Sequence, residues 1–167
     1  MRKGINEGRA TLLGLRSSVL QHGSLERALC DVRNDCAPSD RAQFRIVIVG
    51  ETKPLESALE EQIFLIAREA LLNALRHSAA SRVEAEIEYL PCKLRVVIRD
   101  DGTGIDPEAL RTGRDSYRGL TGMQERAARI GAKVRVWSKQ GAGTEVEISL
   151  PIHGFGENRK ERFGKSI

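Results

Sequence analysis

The sequence predicts an α/β sandwich: one mixed, mainly antiparallel sheet of about five strands, with helices packed on one face. Three observations carry this. Residues 61–78 (EQIFLIAREALLNALRHS) are apolar on most sides of a helical projection, the mark of a buried helix. Ser81–Tyr89 (SRVEAEIEY) alternates with a period of two, and across the short turn Leu90-Pro91-Cys92 the run Lys93–Asp100 (KLRVVIRD) reads as its antiparallel neighbour. Val134–Ser138 and Thr144–Leu150 flank Gln140-Gly141-Ala142-Gly143, which signals a final hairpin. Helices interleaved with a hairpin-linked sheet bury one face of it.

The elements follow in order. Ile5, Leu12, Leu15 and Val19 recur near a 3.5-residue spacing, so 5–22 reads as a weak amphipathic helix diluted by Gly4, Gly8 and Gly14. Such a seam suits either a missing helical partner or the chain's own domain. His22-Gly23 stops it, and Ser24 can cap a second helix running to about Asn34. Ala37-Pro38-Ser39-Asp40 is a turn, and Gln43–Val49 (QFRIVIV) a strand. The central helix begins near Leu55–Glu60. After the strand pair, Asp101–Gly104 is a glycine loop, and Asp106-Pro107-Glu108 has the cap, first-position proline and first-turn acid of a short helix. Arg111–Gly119 has no apolar anchor besides Tyr117 and is expected to be mobile. Leu120–Ile130 is a helix ending at Gly131. The basic tail from Ile152 is expected to be disordered.

Bulk properties narrow the function. A chain of 167 residues, 40% hydrophobic and 30% charged, fits one soluble globular domain with a short appendage. The net charge of +4 is shared about equally between the tail and all that precedes it, which gives little support to a nucleic-acid surface. An aromatic content of 4% also speaks against a stacking platform for single strands. Cys30, Cys36 and Cys92 have neither metal-site spacing nor an even count, which suggests a reducing compartment. No apolar run approaches membrane-spanning length, and no secretory signal follows Met1.

Polar residues on the buried helix carry the chemistry. Gln62, Glu69, Asn73 and Arg76 project within roughly 60° of one another, with His77 about 40° further round. A polar stripe in an interior needs partners, because an unpaired amide or carboxylate there costs several kcal/mol. The protein can supply them as an internal pair, or a ligand and its ions can. An asparagine carbonyl beside phosphate oxygens suits Mg²⁺, and a carboxylate one turn earlier can hold a metal-bound water or take a proton. His77 also has a simple role as a charge near the helix C-terminus. Asp100, at a strand end before Asp101-Gly102-Thr103-Gly104, can accept from an exocyclic amine such as that of adenine, while Asp-Gly there is equally an ordinary turn. Gly119 and Gly122 open a helix whose amides could hold phosphate, or simply form a loop entering a helix. Neither a Walker-type phosphate loop nor a G-x-G-x-x-G after a strand is present.

Taken together, E-x-x-x-N on a helix, D-D-G-T-G after a strand, G-L-T-G-M and G-A-G-T resemble, in that order, the ATP-binding domain of sensor histidine kinases. More broadly they resemble the Bergerat (GHKL) fold shared with gyrase, Hsp90 and MutL. The match runs from about Phe44 to Pro151, and REALLNALRHSAAS and GLTGMQERAARIGA look most like the nitrate-sensor/DegS-like branch. The resemblance implies a Bergerat-type sheet, ATP and Mg²⁺ as cofactors, and phosphoryl transfer to a histidine. Asn73 would ligate Mg²⁺, and Glu69 would occupy the general-base position of related ATPases. Asp100 would bind the adenine amine, with Gly102, Gly104, Ile105 and Thr144 around the base. Arg111–Thr121 would form the ATP lid, and Arg76, His77, Gly119, Leu120, Gly122 and Met123 would complete the nucleotide site.

By the same resemblance, residues 1–36 would be the end of a dimerisation and phosphoacceptor module with its connector, 37–151 the ATP-binding domain, and 152–167 the tail. Implied partners are the helices of a homodimeric parent kinase and a response regulator, with no nucleic acid. The domain would be cytoplasmic, its parent soluble or anchored in the inner membrane. His22, His77 and His153 are followed by Gly23, Ser78 and Gly154, not by the acidic residue that follows the family's acceptor histidine. The chain is therefore expected to bind ATP·Mg²⁺ without labelling itself. Rival readings are a GHKL ATPase, an anti-sigma-type serine kinase, and a nucleotide-sensing module without catalysis.

Overall fold

Strand alternation sorts the residues of the sheet before any helix packs on it. The computed structural model describes residues 24–35, 42–105 and 118–152. The helix expected at 5–22, the turn at 37–40, the short helix opening at Asp106, the segment 111–117 and the tail from His153 lie outside the described residues. The described elements are α1 (Leu25–Asp35), β1 (Gln43–Val49), α2 (Ser57–His77), β2 (Arg82–Leu90), β3 (Lys93–Asp100), α3 (Arg118–Arg129), β4 (Lys133–Lys139) and β5 (Gly143–Pro151).

The five strands form one sheet in the order β1-β2-β3-β5-β4. β1 and β2 are parallel, and α2 supplies the crossover that a parallel pair requires. The other neighbours are antiparallel, with Ile98 opposite both Ala85 and Val146. The mixed, mainly antiparallel sheet expected from the alternation is the one observed.

Val83, Ala85 and Ile87 of β2, Leu94, Val96 and Ile98 of β3, and Val146, Ile148 and Leu150 of β5 are buried beneath the helices. α2 lies across them with Ile63, Phe64, Ile66, Ala67, Ala70 and Leu71 buried. Each large apolar side chain hidden this way contributes roughly 1.5–3 kcal/mol. α1 packs on α2 through Leu25, Ala28, Leu29 and Val32, the i, i+3, i+4, i+7 stripe of an amphipathic helix. Ser24 caps it, its Oγ accepting from the Arg27 amide at 3.4 Å. α3 ends as the sequence implies. Gly131 takes φ +72°, and the amides of Gly131 and Ala132 donate to the carbonyls of Ala128 and Ala127 at 3.2 and 2.9 Å.

The other face of the sheet carries charges. Arg95 donates to Glu147, Glu88 and Glu86 at 2.6, 2.8 and 3.3 Å. Arg99 donates to Glu145 and Glu86 at 2.7 and 2.9 Å, and Arg45 pairs with Glu84. The pairs straddle Val97, which is 0% exposed although it points away from the helical core. Arginine stems can cover apolar surface while their heads stay paired. Arg95→Ala should therefore lower stability by about 2 kcal/mol, because it uncovers Val97 and leaves three carboxylates facing one another. Urea unfolding checks this; a loss below about 0.5 kcal/mol would reduce the roof to ordinary surface pairs.

Candidate functional site

One cavity, of about 190 Å³, lies between α2, the end of β3, the start of α3 and β5. Its polar lining consists of Asn73, His77, Ser78, Asp100 and Thr144. Ala70, Ala74, Ile98, Leu120 and Val146 make it largely apolar, with Gly104 and Ile105 at one side. A mostly apolar cleft with a few convergent polar groups is the usual form of a small-molecule site.

Asp100 reaches this cavity because β3 ends there. Its Oδ1 accepts from the Gly102 amide at 2.9 Å. Burial pushes its carboxyl above the usual range, while the amides of Gly102 and Thr144 and the Ser78 hydroxyl work in the opposite direction. The adjacent Asp101 has a different task. It accepts from Ser81 N, Ser81 Oγ and Arg82 N at 2.8, 2.6 and 2.8 Å, and these bonds hold its carboxyl below the usual range. The Asp-Asp pair thus divides into a tether for the start of β2 and an acceptor facing the cavity.

The shift at Asp100 has a definite sign. A carboxyl raised in the folded state opposes folding once it ionises; that penalty is absent below the ordinary carboxylate range and present above the raised value. The stability of Asp100→Asn relative to the parent should therefore increase between about pH 4 and about pH 7. Urea unfolding at the two pH values checks this, and the opposite trend would remove the burial argument.

The loop after Asp100 is held from two sides. Thr103 N donates to Ser78 O at 2.7 Å, and Gly141 N donates to Thr103 O at 2.7 Å. Ile105 N donates to Ser138 Oγ at 2.7 Å, and Ser138 Oγ lies 3.0 Å from Thr144 Oγ1. The end of α2 and the β4–β5 turn therefore clamp the segment that forms the floor of the cavity.

The stripe on α2 is divided by its neighbours. Gln62 is taken up by the protein, accepting from Arg126 of α3 at 3.5 Å. Asn73 lines the cavity, half-buried. Glu69 lies against the start of α3: a Cβ on Gly119 would sit 2.7 Å from Glu69 Oε1 and 3.6 Å from Asn73 Nδ2. Among the described residues neither side chain has a hydrogen-bond partner in the protein. Arg76 is exposed and outside the lining, whereas His77 is exposed at its edge.

The structure thus brings together Asn73, His77, Asp100, Gly104, Ile105, Leu120 and Thr144, with Glu69 and Gly119 adjoining. Gly102 is buried behind Asp100, Gly122 lies within α3 with no atom near its Cβ direction, and Met123 is buried in the core at 2% exposure. α3 begins at Arg118, before both glycines, so the pair does not simply precede the helix. Ser78 was not legible in the sequence. It is 8% exposed, donates to Ala74 O at 2.6 Å and accepts from Ala80 N at 3.1 Å. Position 78 falls roughly 140° from Asn73 in helical projection, so only the return of β3 reveals its role.

Among the described residues no group of three or more His, Cys, Asp or Glu could hold a metal. Asn73 and Glu69 still offer hard oxygen donors without hydrogen-bond partners among the described residues, which fits a cation that takes most of its ligands from phosphate and water.

Residues 58–154 match the family described as histidine kinase-, DNA gyrase B-, and HSP90-like ATPase. The chain is 32% identical over 157 residues to sensor histidine kinase LiaS of Bacillus subtilis, covering 94% of this chain and 42% of LiaS. It is 33% identical over 147 residues to sensor protein VraS of Staphylococcus saprophyticus, covering 88% of this chain and 41% of VraS. The chain therefore spans about two fifths of the length of these relatives. Among solved structures, the blue-light activated histidine kinase EL346 of Erythrobacter litoralis superposes with a TM-score of 0.69 at 21% identity, over 87% of this chain and 50% of that one. Mycobacterial sensor histidine kinase MprB superposes at 0.56 and 24% identity, over 76% of this chain and 91% of that one. At these identities the superpositions establish the fold alone.

Proposed function

The chain belongs to the histidine kinase-, DNA gyrase B-, and HSP90-like ATPase family, and from that membership we propose that it is the catalytic ATP-binding domain of a two-component sensor histidine kinase. It transfers the γ-phosphoryl of ATP to a histidine on a helical dimerisation module, from which a response-regulator aspartate takes it. The observation that carries this reading is that Asp100 and Asn73 line one apolar cavity, so a base acceptor and a phosphate-side cation ligand face the same ligand.

In this mechanism Asp100 accepts from the adenine amine, and its partly buried setting strengthens that bond. Ile98, Val146 and Leu120 supply apolar contact to the base. Asn73 would hold Mg²⁺ through its side-chain carbonyl, and the ion would supply charge neutralisation at the phosphates. Glu69, beside the start of α3, orients the attacking group or accepts its proton. Gly119 allows the α3 backbone to approach Glu69 and Asn73 closely. The chain's work is mainly positioning and charge compensation, as in other phosphoryl transfers. A new N–P bond forms on the acceptor imidazole as the bond to ADP breaks. Residues 1–36 belong to the connector and the dimerisation helices, and the domain works in the cytoplasm of a homodimeric parent. No helix among the described residues is long and apolar enough to cross a membrane.

The test is direct. The chain, given ATP and Mg²⁺ and a helical module bearing an acceptor histidine, should place acid-labile, alkali-stable phosphate on that module and none on itself. ADP release without transfer would favour an ATPase. Absence of nucleotide binding would overturn the reading.

A further inference from the structure

The sheet face opposite the helices neutralises itself at its centre and leaves a cationic rim. Its carboxylates, Glu84, Glu86, Glu88, Glu145 and Glu147, are engaged by Arg45, Arg95 and Arg99. On the neighbouring strand β4, Lys133, Arg135, Trp137 and Lys139 alternate, and all four are exposed. Their pairing opposite Ser149, Glu147, Glu145 and Gly143 places them on this same face. Arg135 reaches Glu147 only at 4.0 Å, with 64% of its side chain exposed, and Lys133 and Lys139 form no ion pair among the described residues.

β4 is the terminal strand, and among the described residues nothing pairs with its outer edge. Charged side chains alone would guard such an edge against aggregation. Trp137 has the opposite effect: it is 48% exposed and opens onto a cleft of about 380 Å³ that it shares with Arg99, Lys139 and Glu145. An indole left half in water beside an unpaired edge suits a strand that another chain covers.

Charge decides which chain. A second copy pairing through its own β4 would set cations against cations across the ladder, which is destabilising. An extended acidic segment has the same two-residue period, so its alternate carboxylates would fall beside Lys133, Arg135 and Lys139, with an uncharged residue opposite Trp137. We infer that β4 is a docking edge for an extended acidic segment of a partner protein, which adds to the sheet as a further strand.

Trp137 is the one tryptophan of the chain, and because its cleft also reaches Asp100 and Thr144, its fluorescence is read without nucleotide so that it reports on this edge. The full chain is titrated with a short extended peptide whose every second residue is Glu, except for a Thr at the position opposite Trp137, with Thr at the positions between. A saturable fluorescence change is expected, weakened at least roughly tenfold by N-methylation of alternate peptide amides, which blocks strand pairing. Lys133→Glu/Arg135→Glu should weaken it by a similar factor while nucleotide affinity and circular dichroism stay unchanged, since neither residue lines the nucleotide cavity. Equal binding of the N-methylated peptide would overturn the inference in favour of diffuse ionic attraction. So would equal displacement by duplex DNA or anionic vesicles, or no response to any peptide.

Discussion

Asn73→Ala should lose roughly 100-fold or more in magnesium-dependent nucleotide affinity while the protein becomes slightly more stable. The two effects separate because Asn73 contributes to the cavity and not to the packing. It is half-buried, lines the cavity, and has no hydrogen-bond partner among the described residues. Its removal therefore orphans no protein group. Position 73 is inside α2, where alanine is preferred over asparagine by about 0.5 kcal/mol. Isothermal titration with ATP, with and without Mg²⁺, measures the first effect, and urea unfolding the second. Unchanged affinity in Mg²⁺ would remove the metal role. A loss of stability above about 1 kcal/mol would instead point to a packing role.

The second large effect is expected at Gly102. A Cβ built there lies 2.1 Å from Ser78 O and 2.5 Å from Ser78 Cβ. Neither atom is the end of a flexible side chain. Ser78 O also accepts from Thr103 N at 2.7 Å, and Gly102 N is a donor to Asp100 at 2.9 Å. Gly102→Ala must move the end of α2 away from the loop or turn Asp100 out of the cavity. It should destabilise the fold by about 3 kcal/mol, seen as a drop of roughly 10 °C in Tm, and abolish nucleotide binding. Gly122→Ala provides the contrast. Nothing lies within 4 Å of its Cβ position, and it is within α3, so stability should rise by up to about 1 kcal/mol. Equal Tm values for Gly102→Ala and the parent would refute the close-packing argument.

These two glycines show where the sequence was legible. Both belong to short glycine motifs after or near an element boundary, and composition alone treats them alike. Gly102 is constrained by the carbonyl of a residue 24 positions earlier in the sequence, which no local pattern encodes. The polar stripe on α2 shows the same limit. Helical projection placed Gln62, Glu69 and Asn73 on one side, and they are there. Only packing assigned Gln62 to Arg126 and left Asn73 facing the cavity. Likewise Arg95 and Arg99 read as ordinary polar positions of a half-buried strand, until the register set them among the glutamates of β2 and β5.

By itself, the sequence determined the kind and order of the described elements, the inward face of β2, the helix start at Ser24, the helix stop at Gly131, and the family. Those properties depend on side chains a few residues apart, whose spacing is the same in any fold that contains the element. Tertiary structure decided that Ser78 stands behind Asp100, that Val97 is roofed by ion pairs, and that Trp137 lies beside a row of cations on an open edge. Each of these depends on which surface another element presents after the chain has returned, and periodicity describes one element at a time.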